Sequence, residues 1–156
     1  MEYAFDIYLL SNKFISEYPL SNYPELMYKQ ARPYNCLLID SHNDYFICIP
    51  YRTSINHNNA FHFKNSQRSR KAKSGLDYSK IVIIKDTSYL ANSNAIIDQD
   101  EYRETFVNMD RITREALSYV DKYILHTKGE VILHRNEYER LYRFSTLKYF
   151  HKELGI

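Results

Sequence analysis

The segment YNCLLIDSHNDYFICIP, residues 34–50, decides the fold. Two apolar runs, residues 34–39 and 45–50, flank the polar sequence DSHND. Asp, Ser and Asn favour turns because their short side chains hydrogen-bond to the neighbouring backbone. The segment therefore predicts a β-hairpin at the centre of the fold.

The two cysteines of the chain both lie in this hairpin. If Asp40 pairs with Tyr45 across the turn, the side chains of Cys36 and Cys48 project from opposite faces, because strand side chains alternate. Two cysteines are too few for a disulfide framework. We therefore predict that both are reduced, buried packing residues.

Further elements are predicted on both sides of the hairpin. Residues 5–10 predict a first strand, and Ser11 is a suitable N-cap for a short helix over residues 11–18. Three prolines predict an irregular course for residues 19–33. The apolar run in residues 80–85 is typical of a central strand.

The C-terminal third predicts helices. The acidic residues 98–101 are suited to a helix start, and Gly129 to a helix end. Between them, apolar and aromatic residues recur every three or four positions: Tyr102, Phe106, Met109, Thr113, Ala116, Val120 and Tyr123. A last helix is predicted to begin after Ser145 and to run to Glu153. Strands followed by helices indicate an α+β fold, in one domain of residues 1–156.

Composition excludes several classes of protein. The chain has 156 residues and three glycines, and these form no glycine-rich nucleotide-binding motif. Its apolar runs fall far short of the roughly 20 residues that a membrane helix needs. The N-terminus is acidic where a signal peptide is basic. We therefore expect a cytoplasmic protein without cofactor, metal or membrane partner.

Charge is distributed unevenly. Residues 45–76, called the basic segment below, contain no Asp or Glu, and their formal charge is +6 within a chain of net charge +2. Such a field attracts polyanions and favours nucleic-acid binding, although a solvated loop is the plainer alternative. We predict RNA contacts from Tyr51, Phe61, His62, Phe63, Lys64, Arg68, Arg70, Lys71, Lys73 and Lys80. The aromatic residues would stack on bases, and core packing is their alternative role.

Residues 50–57 combine the groups that RNA cleavage without metal needs. His57 can act as base or acid near neutral pH. The hydroxyls of Thr53 and Ser54 can bind the phosphate, and Arg52 supplies a fixed positive charge. Taken separately, a Thr-Ser pair is more often a turn and a lone histidine more often a surface residue. The lack of carboxylates argues against a two-metal nuclease.

The chain also resembles the RNA-cleaving toxins of type III toxin–antitoxin systems, the ToxN, AbiQ and CptN proteins. Residues 5–15 resemble the opening strand and helix of that family, and residues 74–80 resemble the approach to a central strand in its CptN-like branch. Tyr28 precedes Arg32 by four positions, where the family has a tyrosine and a lysine. Thr53-Ser54 ends a strand as in the family, but Ile55-Asn56-His57 follows where the family has a lysine.

The resemblance implies a fold and an activity. The fold would be a curved antiparallel sheet with packed helices, similar to the Kid and MazF toxins. The activity would be metal-independent endoribonuclease cleavage that leaves a 2′,3′-cyclic phosphate. The site would include Tyr28 and Arg32 with Arg52, Thr53, Ser54 and His57. The partners would be target mRNA and a small repeated pseudoknot RNA that inhibits the toxin in a cyclic assembly.

Two other functions fit the sequence. A non-catalytic RNA-binding regulatory module would need the basic segment alone. A protein-interaction domain would instead use the stripe from Tyr102 to Tyr123 as a docking face.

Overall fold

The computed structural model describes residues 6–26, 35–91 and 97–156. Within these ranges it is an α+β structure with one open, six-stranded antiparallel sheet, so the predicted fold class is confirmed. The strands are Asp6–Leu9 (β1), Asn35–Asp40 (β2), Phe46–Arg52 (β3), Ala60–His62 (β4), Gly75–Asp77 (β5) and Val82–Ile84 (β6). The α-helices are Asn12–Glu17 (α1), Gln67–Lys71 (α2), Gln99–Val107 (α3), Met109–Thr127 (α4), Arg135–Tyr142 (α5) and His151–Leu154 (α6). Short 3-10 turns complete the described chain at Pro24–Leu26, Tyr78–Lys80, Thr87–Tyr89 and Thr146–Tyr149.

Strand β3 organises the sheet. It pairs with β2 along one edge, and along the other edge it pairs first with β6 and then with β5. The strand order is β1-β2-β3-β5-β4, with β6 attached to β3 beside β5. The β5 strand, at the end of the basic segment, therefore lies between β3 and β4 and pairs with both.

The predicted hairpin is confirmed, but its predicted register is wrong by one residue. Asp40 pairs with Phe46, and the Ser41 N–H donates to the Tyr45 carbonyl at 3.2 Å. His42 and Asp44 take left-handed φ angles of 61° and 69°, which tightens the loop. Because side chains alternate along a strand, a shift of one residue moves a side chain to the other face.

The register places Cys36 and Cys48 on the same face, so the prediction of opposite faces is wrong. Cys48 lies opposite Leu38, which shares the face of Cys36. Both cysteines are free and buried, as predicted. Burial, together with the neighbouring Cys36 thiol, raises the pKa of the Cys48 thiol well above its ordinary value. Both residues belong to the hydrophobic core.

The long predicted helix is two helices that meet at Asn108. In α4, Met109, Ala116, Val120 and Tyr123 face the core, which confirms that part of the periodicity. Earlier members of the stripe lie on the exposed side of α3. Since most of the stripe is core, it does not form the docking face of the protein-interaction alternative.

The β6 strand is buried, but its predicted central position is wrong, because within the described residues it pairs with β3 alone. The 3-10 turn Thr146–Tyr149 and α6 pack beside it instead. Thr146 Oγ1 donates to the carbonyl of Ile81, just before the strand. Among the described helices, none has the length and apolar character needed to cross a membrane.

Candidate functional site

The chain leaves β3 through a loop that reverses direction at Ser54. Ser54 is exposed and has a left-handed φ of 57°. The next residue, Ile55, is only 1% exposed, and its N–H donates to the carbonyl of Lys73 at 2.9 Å. This contact pins the loop to the far end of the basic segment. The following residues, including His57, therefore face the chain between α2 and β5.

Strand β5 brings the two ends of the loop together. Gly75 pairs with Arg52 on β3 and with His62 on β4. A Cβ atom at Gly75 would lie 2.1 Å from the carbonyl oxygen of Phe61, a distance that no side chain tolerates. Glycine is therefore required for β4 to pack this closely against β5.

Asp77, at the end of β5, is the buried charge of the site. Its carboxylate is completely buried. Arg52 Nη1 lies 2.6 Å from Oδ2, while the Ser79 hydroxyl donates to Oδ1 at 2.6 Å. Burial alone would raise the pKa of Asp77, but hydrogen bonds from His57 and Ser79 and the charge of Arg52 outweigh it. The pKa therefore falls below its ordinary value of 3.8.

His57 is held by both ring nitrogens. The Asn59 N–H donates to His57 Nδ1 at 3.1 Å, so Nδ1 carries no proton. The proton of the neutral ring is then on Nε2, which lies 3.4 Å from both Asp77 Oδ1 and Ser79 Oγ. His57 is thus an oriented imidazole, and both of its nitrogens already have partners.

His62 has the opposite arrangement. Its Nε2 lies 2.7 Å from the carbonyl oxygen of His57. A carbonyl oxygen only accepts hydrogen bonds, so the proton of His62 is on Nε2. The unprotonated nitrogen of the neutral ring is therefore Nδ1, which has the character of a base.

The two imidazoles line one pocket of about 330 Å³. The other lining residues are Ile55, Asn56, Asn58, Phe63, Ser69 and Lys73. Lys73 is exposed, and it forms no ion pair with another described residue. The pocket thus combines two imidazoles, an ammonium, two amides and a hydroxyl. These groups are suited to an anionic, hydrogen-bonding ligand such as a phosphodiester.

The structure brings together only part of the predicted catalytic set. Thr53 and Ser54 do not line the pocket of His57 and His62. Arg52 makes an ion pair with Asp77, and its side chain is only 16% exposed. It therefore holds Asp77 in place and does not line the pocket. Tyr28 and Arg32 lie outside the described residues.

The prediction that Tyr51, Phe61 and Phe63 stack on bases is wrong for this structure. Their exposed fractions are 8%, 4% and 5%, because all three pack in the hydrophobic core. The Tyr51 hydroxyl, for example, shares a hydrogen bond of 2.9 Å with Thr105 in α3. The core-packing alternative therefore holds for these aromatic residues.

Lys80 is likewise misassigned as an RNA contact. Its side chain is 5% exposed, and Nζ lies 3.4 Å from Glu25 Oε2. The same ammonium donates to the carbonyl of Phe144 at 2.8 Å. Burial lowers the pKa of Lys80, despite the opposing charge of Glu25. Lys80 therefore fixes the C-terminal turns against the sheet.

Acidic side chains of α3 and its N-cap contact the basic segment, which has no Asp or Glu of its own. The N–H groups of Lys64 and Asn65 donate to Glu104 at 2.8 and 3.0 Å. Arg68 lies 3.4 Å from Asp98 and 3.9 Å from Glu101. Asp98 is the N-cap of α3, and Glu101 and Glu104 lie within that helix. They hold α2 in place and neutralise part of the predicted RNA-binding charge.

Other cations of the segment stay exposed. The side chains of Lys64, Arg70 and Lys71 are exposed, and none pairs with an acid elsewhere in the described chain. Arg70 and Lys71 lie in α2, Lys64 precedes that helix, and Lys73 follows it and lines the pocket. His62, predicted as an RNA contact, is half-buried and lines the pocket.

Sequence reasoning missed Asp77 and Ser79. The signal was present: Asp77 is the first acid after the basic segment, and Ser79 follows two residues later. An Asp with a hydroxyl two positions on commonly forms a local turn, and here the Ser79 N–H donates to Asp77 Oδ1 at 3.0 Å. The contact of this turn with His57 is long-range and has no sequence signal.

No family model, curated protein or solved structure matches this chain. The described residues contain no group of three or more His, Cys, Asp or Glu side chains arranged to hold a metal ion.

Proposed function

We propose that this protein is a metal-independent endoribonuclease of the type III toxin kind. The observation that supports the proposal is the pocket in which His57, His62 and Lys73 meet. An imidazole whose Nδ1 carries no proton, beside an ammonium and two amides, is a set of groups suited to moving a proton and holding a phosphate.

The proposed reaction begins with proton transfer. His62 Nδ1 accepts the proton of the RNA 2′-hydroxyl, whose oxygen forms a bond to the adjacent phosphorus. Lys73 and the amides of Asn56 and Asn58 bind the negative oxygens of the intermediate. The bond from phosphorus to the 5′-oxygen then breaks, and that oxygen takes a proton from the Lys73 ammonium. The products are a 2′,3′-cyclic phosphate and a free 5′-hydroxyl.

His57 acts in this proposal as a positioning residue. Its carbonyl accepts from His62 Nε2 and thereby keeps the base lone pair on Nδ1. Its ring is held in turn by Asp77, which the Arg52 guanidinium contacts from the other side. The buried ion pair is thus connected to the base through one intervening residue.

The inhibitor in this proposal is a small repeated pseudoknot RNA, bound in a cyclic cytoplasmic assembly. Support comes from the exposed cations Lys64, Arg70 and Lys71, which lie in or just before α2, the helix whose Ser69 lines the pocket. A folded RNA that contacts α2 would also cover the pocket, so binding and inhibition would coincide. A sheet curved like those of Kid and MazF belongs to the same proposal, for which the open antiparallel sheet is the support.

The decisive experiment replaces His62. We expect the wild-type protein to cleave single-stranded RNA in EDTA, and His62→Ala to slow cleavage by about 100-fold or more, as for loss of a general base. His42→Ala is the matched control, because His42 is exposed in the hairpin loop. Cleavage that EDTA abolishes and magnesium restores, or a His62→Ala variant as active as the wild type, would refute the mechanism.

A second variant tests whether cleavage depends on the pocket or on the site implied by the family resemblance. Ser54 is exposed and does not line the pocket, so Ser54→Ala is expected to keep most of the cleavage rate. If Ser54→Ala is inactive and His62→Ala is active, the reacting groups are those that the family resemblance implies, and the mechanism through His62 is wrong.

A non-catalytic RNA-binding module is the second candidate. The exposed cations beside α2 favour it independently of the pocket, because phosphate contacts need no catalytic group. It predicts binding that weakens steeply with salt and no cleavage at any ratio of protein to RNA.

A further inference from the structure

A second, larger pocket of about 470 Å³ adjoins the first. It lies where the start of β4 faces α4 and the end of α5. Three cations of α4 line it, Arg111, Arg114 and Lys122. Residues three, four, seven or eight positions apart share a helix face, so the helix presents these cations together.

The charges lining this pocket do not cancel. Among the described residues that line it, Glu115 is the one acid. It accepts from Arg111 Nε at 3.0 Å and from the Tyr78 hydroxyl at 3.0 Å. Lys122 lies 3.6 Å from Glu137, at the rim. Arg114 is exposed and pairs with no acid among the described residues. The groove therefore keeps surplus positive charge for an anion.

Arg111 is also held in a defined position. Its guanidinium lies 5.2 Å from the centre of the Phe61 ring, which is itself core. A guanidinium fixed between a carboxylate and an aromatic ring loses less conformational entropy when it binds a ligand.

The two pockets share a wall. Asn58 lines both of them. Its neighbour Asn59 donates its backbone N–H to His57 Nδ1 and its side-chain amide to the carbonyl of Arg140 at 2.9 Å. The asparagine pair is therefore tied to the first pocket on one side and to α5 on the other. An extended polyanion can follow this wall from one pocket into the next.

We infer that the second pocket is a subsite for the phosphate of a nucleotide next to the cleaved bond. The inference rests on the proposed function for the position of the cleaved phosphate. The ligand class is single-stranded RNA, long enough to reach both pockets, and Arg114 is its principal phosphate contact.

The test uses an RNA that cannot be cleaved. A fluorescent 2′-O-methyl RNA of about 12 nucleotides and mixed sequence has no 2′-hydroxyl to attack. We expect Arg114→Ala to raise its Kd by about threefold to tenfold, since one phosphate contact is lost. Arg135→Ala is the matched control, because Arg135 is exposed at the start of α5 and lines neither pocket. The control is expected to change the Kd by less than about twofold.

The length of the RNA distinguishes binding at the second pocket from general electrostatic attraction. A 2′-O-methyl dinucleotide has a single phosphodiester, the one that the first pocket would hold, so its Kd is expected to be the same for the wild type and Arg114→Ala. Equal losses from Arg114→Ala and Arg135→Ala, or no loss from either, would overturn the inference. A protein that cleaves no RNA but shows the Arg114 effect would refute the nuclease and retain the groove as an RNA site.

Discussion

Two buried carboxylates hold the basic segment, and their pKa values shift in opposite directions. Asp77 is completely buried and Glu101 is 2% exposed. The pKa of Asp77 is lowered, because Arg52 at 2.6 Å and hydrogen bonds from His57 and Ser79 more than offset burial. Burial raises the pKa of Glu101, whose contact with Arg68 is 3.9 Å long.

The difference divides the basic segment into two parts. The inner part, around the loop of His57, is held by a close and fully paired carboxylate on the central sheet. The outer part, around α2, is held by acids of α3, and Asp98 and Asp100 there add repulsion to Glu101. In the proposed nuclease, the closer support behind His57 and His62 and the weaker support under the exposed cations would suit the capture of a flexible polyanion.

The largest effect is expected from Asp77→Asn. It leaves Arg52 in a half-buried position without its charge partner, and breaking a buried pair in this way costs about 3–5 kcal/mol. Urea denaturation should show that loss in the free energy of unfolding. Arg52→Met combined with Asp77→Asn should recover part of it. If Asp77→Asn alone lowers the free energy of unfolding by less than about 1 kcal/mol, Asp77 contributes no more to stability than Glu101.

The second-largest effect on the free energy of unfolding is expected from Gly75→Ala. Its Cβ would lie 2.1 Å from the Phe61 carbonyl oxygen, so β4 must move away from β5. We expect a loss of about 1–3 kcal/mol, as for other overpacked sites, measured by thermal or urea unfolding. RNA cleavage should fall as well, because His62 lies on β4 opposite Gly75. Normal cleavage with normal stability would mean that the inner part tolerates a looser sheet.

The pH dependence of the free energy of unfolding should also distinguish Asp77 from Glu101. These differences should be smaller than the losses expected from Asp77→Asn and Gly75→Ala. The lowered pKa of Asp77 means that its stabilisation is present above the ordinary value of 3.8 and is lost as the pH falls through the folded-state pKa. The raised pKa of Glu101 means that its contribution is present below 4.5 and is lost as the pH rises through its folded-state pKa.

Urea unfolding from about pH 3 to about pH 7 measures these two pH windows. The curve of Asp77→Asn should converge with that of the wild type toward acid, and the curve of Glu101→Gln should diverge from it toward neutral pH. Parallel curves for either variant would contradict the assigned direction of the shift.

The smallest effect is expected from Glu101→Gln at neutral pH. The variant loses a long contact with Arg68, whose side chain is 44% exposed, and also loses the cost of burying a charge. We therefore expect the free energy of unfolding to change by less than about 1 kcal/mol. Hydrogen exchange of the α2 amides should change more than the global stability. A loss as large as that of Asp77→Asn would remove the distinction between the two parts.

The elements formed by local sequence were predictable, and the candidate site was predictable only in part. The hairpin and α4 follow from turn chemistry and helical periodicity. Residues of the basic segment line the pocket, but its aromatic residues were assigned to RNA because alternation does not tell which face of a strand meets the core. The break between α3 and α4 at Asn108 has no proline or glycine to predict it.

The amino-acid sequence alone determined the α+β order, the central hairpin and the acid-free basic segment, because these depend on neighbouring residues and on composition. The tertiary structure alone decided which groups of that segment meet. The one-residue register of the hairpin brought the two cysteines to one face, and the pairing of β5 with β3 and β4 brought Asp77, His57 and His62 together. Contacts of this kind depend on strand register and chain reversal, which many distant residues set jointly.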